Sequence, residues 1–149
     1  MPAQHAFDLE RFVAAQGGGV FERALAELRS ARKQSHWMWF VFPQLTGLGH
    51  SKVAKYYGIT GLAEARAYLA HPVLGARLQE CAATLDALDS RHSAADIFGF
   101  PDNLKLRSSL TLFAHAAGPE SIFERLLEKY SNGERDELTV TMLRMHGTT

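Results

Sequence analysis

The sequence predicts an all-α fold, a single compact domain of roughly six to eight helices spanning residues 1–149, with residues 1–6 and 147–149 as loose tails. Three observations predict it. Apolar residues recur at helical spacing through most of the chain. Glycine and proline clusters punctuate it at intervals of a helix length, as at Gly17-Gly18-Gly19, His71-Pro72, Gly99-Phe100-Pro101, Gly118-Pro119 and Asn132-Gly133. Strand signals are confined to the aromatic block 37–42 and to Leu138–Met142. No repeat, low-complexity tract or long linker divides the chain.

The elements follow in order. Residues 7–16 read as a first helix, which three consecutive glycines end. Val20 to Lys33 is amphipathic, with Val20, Ala24, Leu25 and Leu28 on one face. The block Trp37-Met38-Trp39-Phe40-Val41-Phe42 reads equally as a buried strand or a buried helical turn, and Pro43 biases Phe42 toward an extended conformation. Ser51 is an N-cap for a short helix to Tyr57. Gly61 to Ala70 and Pro72 to about Leu88 are two further helices, Pro72 fitting the first turn of the second. Ser93 caps a short turn to Phe98, Asp102 to Ala116 and Ser121 to Tyr130 are helices, and Asp136 caps the last.

Composition narrows the function. Sixteen basic and sixteen acidic residues cancel, which argues against general nucleic-acid binding. The single cysteine, Cys81, excludes an intramolecular disulfide and reads as a small buried residue. No apolar run reaches the length of a membrane span, and Met1 to Glu10 lacks a secretory pattern, so the cytoplasm is the expected compartment. The histidines show no metal-ligand spacing and no paired cysteines occur, so neither a metal nor a cofactor is expected.

Three groups of residues could carry chemistry. Trp37, Trp39, Phe40 and Phe42 either fill the core or wall a pocket, with His36 and Gln44 as the polar groups beside them. Gly47-Leu48-Gly49-His50-Ser51-Lys52 is either a plain loop and cap or a place where helix N–H groups meet an anion. Asp102, Lys105 and Ser109 fall within about 60° of one another on one helix, beside the apolar strip Leu106, Leu110 and Phe113. Asp102 and Lys105 form either a surface ion pair or a half-buried one that positions a ligand.

A long pattern also resembles a known family. It runs from Ser35-His36-Trp37-Met38-Trp39-Phe40 and Phe42-Pro43-Gln44 through Gly47-Leu48-Gly49, Ser51, Tyr57 and Gly58. It continues with Tyr68-Leu69, His71-Pro72-Val73-Leu74-Gly75, Arg77-Leu78, Gly99, Asp102, Lys105-Leu106, Ser108-Ser109 and Thr111-Leu112-Phe113, ending near Gly133, Asp136 and Thr139. This resembles the bacterial family of unknown function catalogued as domain of unknown function 1810, with Leu110 where methionine is expected. The resemblance implies an all-helical single domain and brings no established activity. Members are sometimes labelled calpastatin-like, but protease inhibition calls for an exposed disordered segment that this sequence does not show. The pattern includes the polar residues His36, Gln44, Ser51, His71, Asp102, Lys105, Ser108 and Ser109.

The expectation is therefore a small protein with one ligand pocket. Trp37, Trp39, Phe40 and Tyr57 would wall it, and His36, Gln44, Ser51, His71, Asp102, Lys105, Ser108 and Ser109 would line it. Its ligand would be a flat, nucleotide-like or anionic small molecule. Should chemistry occur there, it would be proton transfer or hydrolysis, with Asp102 or His36 as base and Lys105 holding negative charge. The alternative is a non-catalytic interaction module in which the same polar residues are internal scaffolding.

Overall fold

In the computed structural model, residues 7–146 are described; the tails expected at 1–6 and 147–149 lie outside them. Ten helices are present among the described residues, more than the six to eight expected. They are α1 (Glu10–Ala15), α2 (Val20–Arg29), α3 (Met38–Val41), α4 (Lys52–Tyr56), α5 (Leu62–Ala70), α6 (Leu74–Ala87), α7 (Ala94–Phe98), α8 (Asp102–Ala117), α9 (Ile122–Ser131) and α10 (Glu137–Met145). The surplus comes from the aromatic block and from the segment after Ser93, one-turn helices that periodicity registers poorly. The aromatic block is one of them, helical as α3 and not a strand. Serines cap the short helices α4, as expected, and α7: Ser51 accepts from the Ala54 N–H, and Ser93 forms a capping box with Asp96. The β-branched run at Leu138–Met142 is also helical, since Asp136 caps α10 by accepting from the Thr139 N–H. Among the described residues, extended pairing is limited to a parallel bridge between Leu45 and Ile59.

The helix α8 is the centre of the fold. It packs against α3, α5, α7, α9 and α10, and residues Leu106 and Ser108 to Ala114 along it are buried. A helix buried over most of its length needs neighbours on most sides, and two of its hydroxyls bond back along it: Ser108 donates to the Leu104 carbonyl and Thr111 to the Arg107 carbonyl. The Thr111 hydroxyl also accepts from the Asp136 N–H at 2.9 Å, which ties the start of α10 to α8. On the other side α6 packs on α2, α5 and α9. Lys129 and Tyr130 of α9 cover the free carbonyls at its end, Leu85, Asp86 and Leu88. Cys81 lies buried in α6, and burial pushes its thiol up to about 12, so it remains protonated and inert.

Two polar networks hold the first helix. Glu64, 2% exposed, receives the Arg11 guanidinium at 3.0 Å together with the Thr60 N–H and hydroxyl. Arg11 also donates to the carbonyls of Asp8, Tyr56 and Gly58. The buried Gln16 donates to the Phe40 carbonyl at 2.7 Å and to the Tyr68 hydroxyl, and it receives Arg77. His71 Nδ1 accepts from the N–H groups of Val73 and Leu74, turning the chain from α5 into α6.

At that corner the backbones nearly touch. A Cβ on Gly75 would lie 2.0 Å from the Leu69 carbonyl oxygen. Gly75→Ala is therefore expected to force the α5–α6 corner apart and to cost about 1–3 kcal/mol in urea unfolding; an unchanged midpoint would refute the close approach.

Candidate functional site

A single carboxylate organises the site. Helix α2 ends with Ala31 in the left-handed region (φ 56°), where the Arg32 N–H bonds back to the Glu27 carbonyl and the Ala31 N–H to that of Leu28. The chain then folds back over Glu27. The Glu27 side chain accepts four donors: the N–H groups of Gln34 (2.9 Å) and Ser35 (3.0 Å), the Ser35 hydroxyl, and the Trp37 indole N–H at 2.8 Å. Burial raises its pKa, but the hydrogen bonds from Ser35, Gln34 and Trp37 outweigh burial and bring it down to about 2.

This clamp fixes everything downstream. Trp37, 1% exposed, packs against Phe42 and Phe98, which also meet edge to face. The Lys33 N–H donates to the Ile97 carbonyl at 2.7 Å and pins α7. The Lys33 ammonium turns inward, 5.1 Å from the centre of the Trp37 ring. It donates to the Ser35 carbonyl and lies 2.8 Å from Asp102 Oδ2. Lys105, one turn along α8, approaches the other oxygen of Asp102 at 3.6 Å and stands 5.0 Å from the centre of the Trp39 ring.

Above these groups lies a hollow of about 330 Å³. Lys33, Asp102 and Lys105 lie at its base, Met38, Trp39 and Pro101 contribute to its walls, and His36 and Phe100 stand at its edge. His36 is exposed and Phe100 is 80% exposed. A second hollow of about 230 Å³ meets it along Pro101 and Lys105, and Gln44, Leu48, Leu104, Ser108, Asp136 and Leu138 line it. The other concavities differ in charge: one of about 340 Å³, lined by Phe7, Leu9, His71 and Pro72, carries the carboxylates of Asp8 and Glu10 and no lysine or arginine. One of about 430 Å³ is lined by Arg107 and residues 133–137, with no aromatic or aliphatic wall. One of about 210 Å³ beneath α7 has Arg107 as its single charged side chain.

Of the residues named from sequence, His36, Trp39, Asp102 and Lys105 line the first hollow, and Gln44 and Ser108 line the second. The rest line neither. Trp37 belongs to the core because its indole is drawn to Glu27. Phe40 and Tyr57 pack against each other at a tilt (5.3 Å between centres), Tyr57 also meets Phe12, and the Phe40 carbonyl serves Gln16 and Tyr68. Ser51 caps α4 and His71 caps the start of α6. Ser109 is fully buried, and its hydroxyl finds no partner among the described residues. Sequence reasoning missed Lys33, Phe100 and Glu27. The periodicity of α2 ran through Lys33 to no effect, and Phe100 read as punctuation between glycine and proline. Among the described residues no group of three or more His, Cys, Asp or Glu could hold a metal ion, and no helix is long and apolar enough to cross a membrane.

The clamp makes stability depend on pH in a definite direction. A carboxylate ordinarily near 4.5 and held at about 2 contributes fully above the higher value and loses that contribution as the pH falls through the lower one. Glu27→Gln is expected to cost about 1–3 kcal/mol at pH 7 and to flatten the stability profile between pH 5 and pH 2. Urea unfolding of both proteins across that range measures it, and parallel profiles would count against the clamp.

Comparison with known proteins agrees with this architecture. The crystal structure of the conserved hypothetical protein Rv1873 from Mycobacterium tuberculosis superposes with a TM-score of 0.89 at 52% identity, over 93% of this chain and 98% of that one. No curated protein matches the chain. The family model described as protein of unknown function (DUF1810) matches residues 6–143. The all-helical chain, with its lysine–aspartate–lysine cluster against Trp39, thus belongs to the DUF1810 family.

Proposed function

We propose that this protein binds a small anionic metabolite with a flat ring, the chemistry of a nucleotide, in the hollow over Asp102. The observation that carries the reading is one carboxylate shared by two ammonium groups beneath an aromatic wall. Lys33 and Lys105 carry two positive charges and Asp102 one negative, so the base of the hollow keeps one positive charge for an anion. Trp39 and the exposed Phe100 supply faces on which a planar ring can stack.

The lining favours binding over catalysis. Among the described residues it contains no hydroxyl or thiol that could act as a nucleophile. Both oxygens of Asp102 face lysines, so its role is to hold ammonium groups in place. A second reading has one observation in its favour. Phe100, Leu104 and Leu138 are 80%, 44% and 55% exposed, and an apolar rim of this kind also suits a protein partner.

Calorimetry with ADP separates the two readings. Binding to the wild type is expected, with affinity reduced about tenfold in Lys105→Met. Because Lys105 is 29% exposed and not central to the core, the unliganded melting temperature of that variant should stay within about 3 °C of the wild type. If no nucleoside mono- or diphosphate stabilises the wild type against heat, and Lys105→Met loses about 1–3 kcal/mol of stability instead, the cluster is scaffolding.

A further inference from the structure

We infer that the ligand has two ends joined through its anionic group, and that the end beyond Lys105 is a neutral, hydroxyl-rich unit such as a sugar; this rests on the binding reading above. Two hollows meet along Pro101 and Lys105, and among the described residues Lys105 is the one cation that lines both. An anion on its ammonium therefore stands at a junction, and a ligand with a ring on one side only leaves the other hollow empty.

The chemistry of the second hollow specifies what enters it. Asp136 lines it with a carboxylate whose Oδ2 is taken by the N–H and hydroxyl of Thr139. Its Oδ1 receives no donor among the described residues. A carboxylate repels a second anion and accepts hydroxyl donors, so negative charge stays at Lys105 and hydroxyl groups lie beyond it. Gln44 adds an amide with no side-chain hydrogen bond among the described residues, and the Ser108 hydroxyl, donating to Leu104, keeps lone pairs to accept. The exposed Leu104 and Leu138 offer apolar surface to the C–H face of a sugar ring. A ring over Trp39, an anionic linkage at Lys105 and a polyol against Asp136 together describe a nucleoside diphosphate sugar.

Titration calorimetry with ADP, ADP-glucose and glucose tests this, using the wild type and Leu138→Trp. Leu138 is exposed in the first turn of α10 and lines only the second hollow, so a larger side chain fills that hollow without entering the core. The expected result is ADP-glucose bound at least about tenfold more tightly than ADP by the wild type, with that gain abolished in Leu138→Trp and the affinity for ADP unchanged. Equal affinity for ADP and ADP-glucose in the wild type would overturn the two-ended ligand and leave the nucleotide reading standing. A gain that persists in Leu138→Trp would overturn it as well. Absence of binding by either compound would remove the nucleotide reading and the present inference together.

Discussion

The site depends on the four donors gathered by Glu27. A carboxylate can accept that many, and charge-assisted hydrogen bonds are about twice as strong as neutral ones. Three of the donors come from consecutive backbone and side-chain groups at 34 and 35, and the fourth is the indole of Trp37. The segment after α2 has no regular structure to hold it, so Glu27 supplies the constraint that a helix or sheet would otherwise supply. Once the segment is fixed, Lys33 extends toward the first turn of α8. An acidic group there already suits the helix dipole.

Two cations of this protein, Arg11 and Lys105, are satisfied to different degrees. Arg11 spends its guanidinium on the carbonyls of Asp8, Tyr56 and Gly58 and on Glu64. It has little left to offer a ligand, and its work is to join α1 to the loop before α5. Lys105 has an ion-pair partner at 3.6 Å, a ring face at 5.0 Å and no hydrogen bond to protein among the described residues. An ammonium has three donors. Lys105 keeps them available beside an aromatic wall, where an anion would be only partly screened by water.

Much of the architecture was legible in the sequence, because caps and breakers act locally. Ser51, Ser93 and Asp136 cap helices through their own neighbours, and the glycine and proline clusters end helices wherever they fall. The helix count was not legible, since one turn of helix leaves no periodic signal. On α8 the spacing placed Asp102, Lys105 and Ser109 on one face. It could not say what lies opposite that face, and the answer differs along the helix. Asp102 and Lys105 look onto Lys33 and Trp39 at the surface, whereas Ser109 is buried. Lys33 was unreadable for the same reason, because its partner is 69 positions away and nothing near it in sequence marks it as different from Arg32.

The two tryptophans show how one short segment serves both the core and the surface. Trp37 ends the irregular stretch as the residue before α3, and Trp39 lies in the first turn of that helix. Residues two apart in a helical turn cannot share a face. When Glu27 draws Trp37 inward against Phe42 and Phe98, Trp39 is carried outward to the hollow. The outward indole then meets Lys105, whose ammonium is attracted to the ring face. The inner tryptophan is thus the anchor and the outer one the wall, and the wall stays rigid because the anchor is buried. If the hollow takes the proposed ligand, a wall of this kind would lose little conformational freedom on binding.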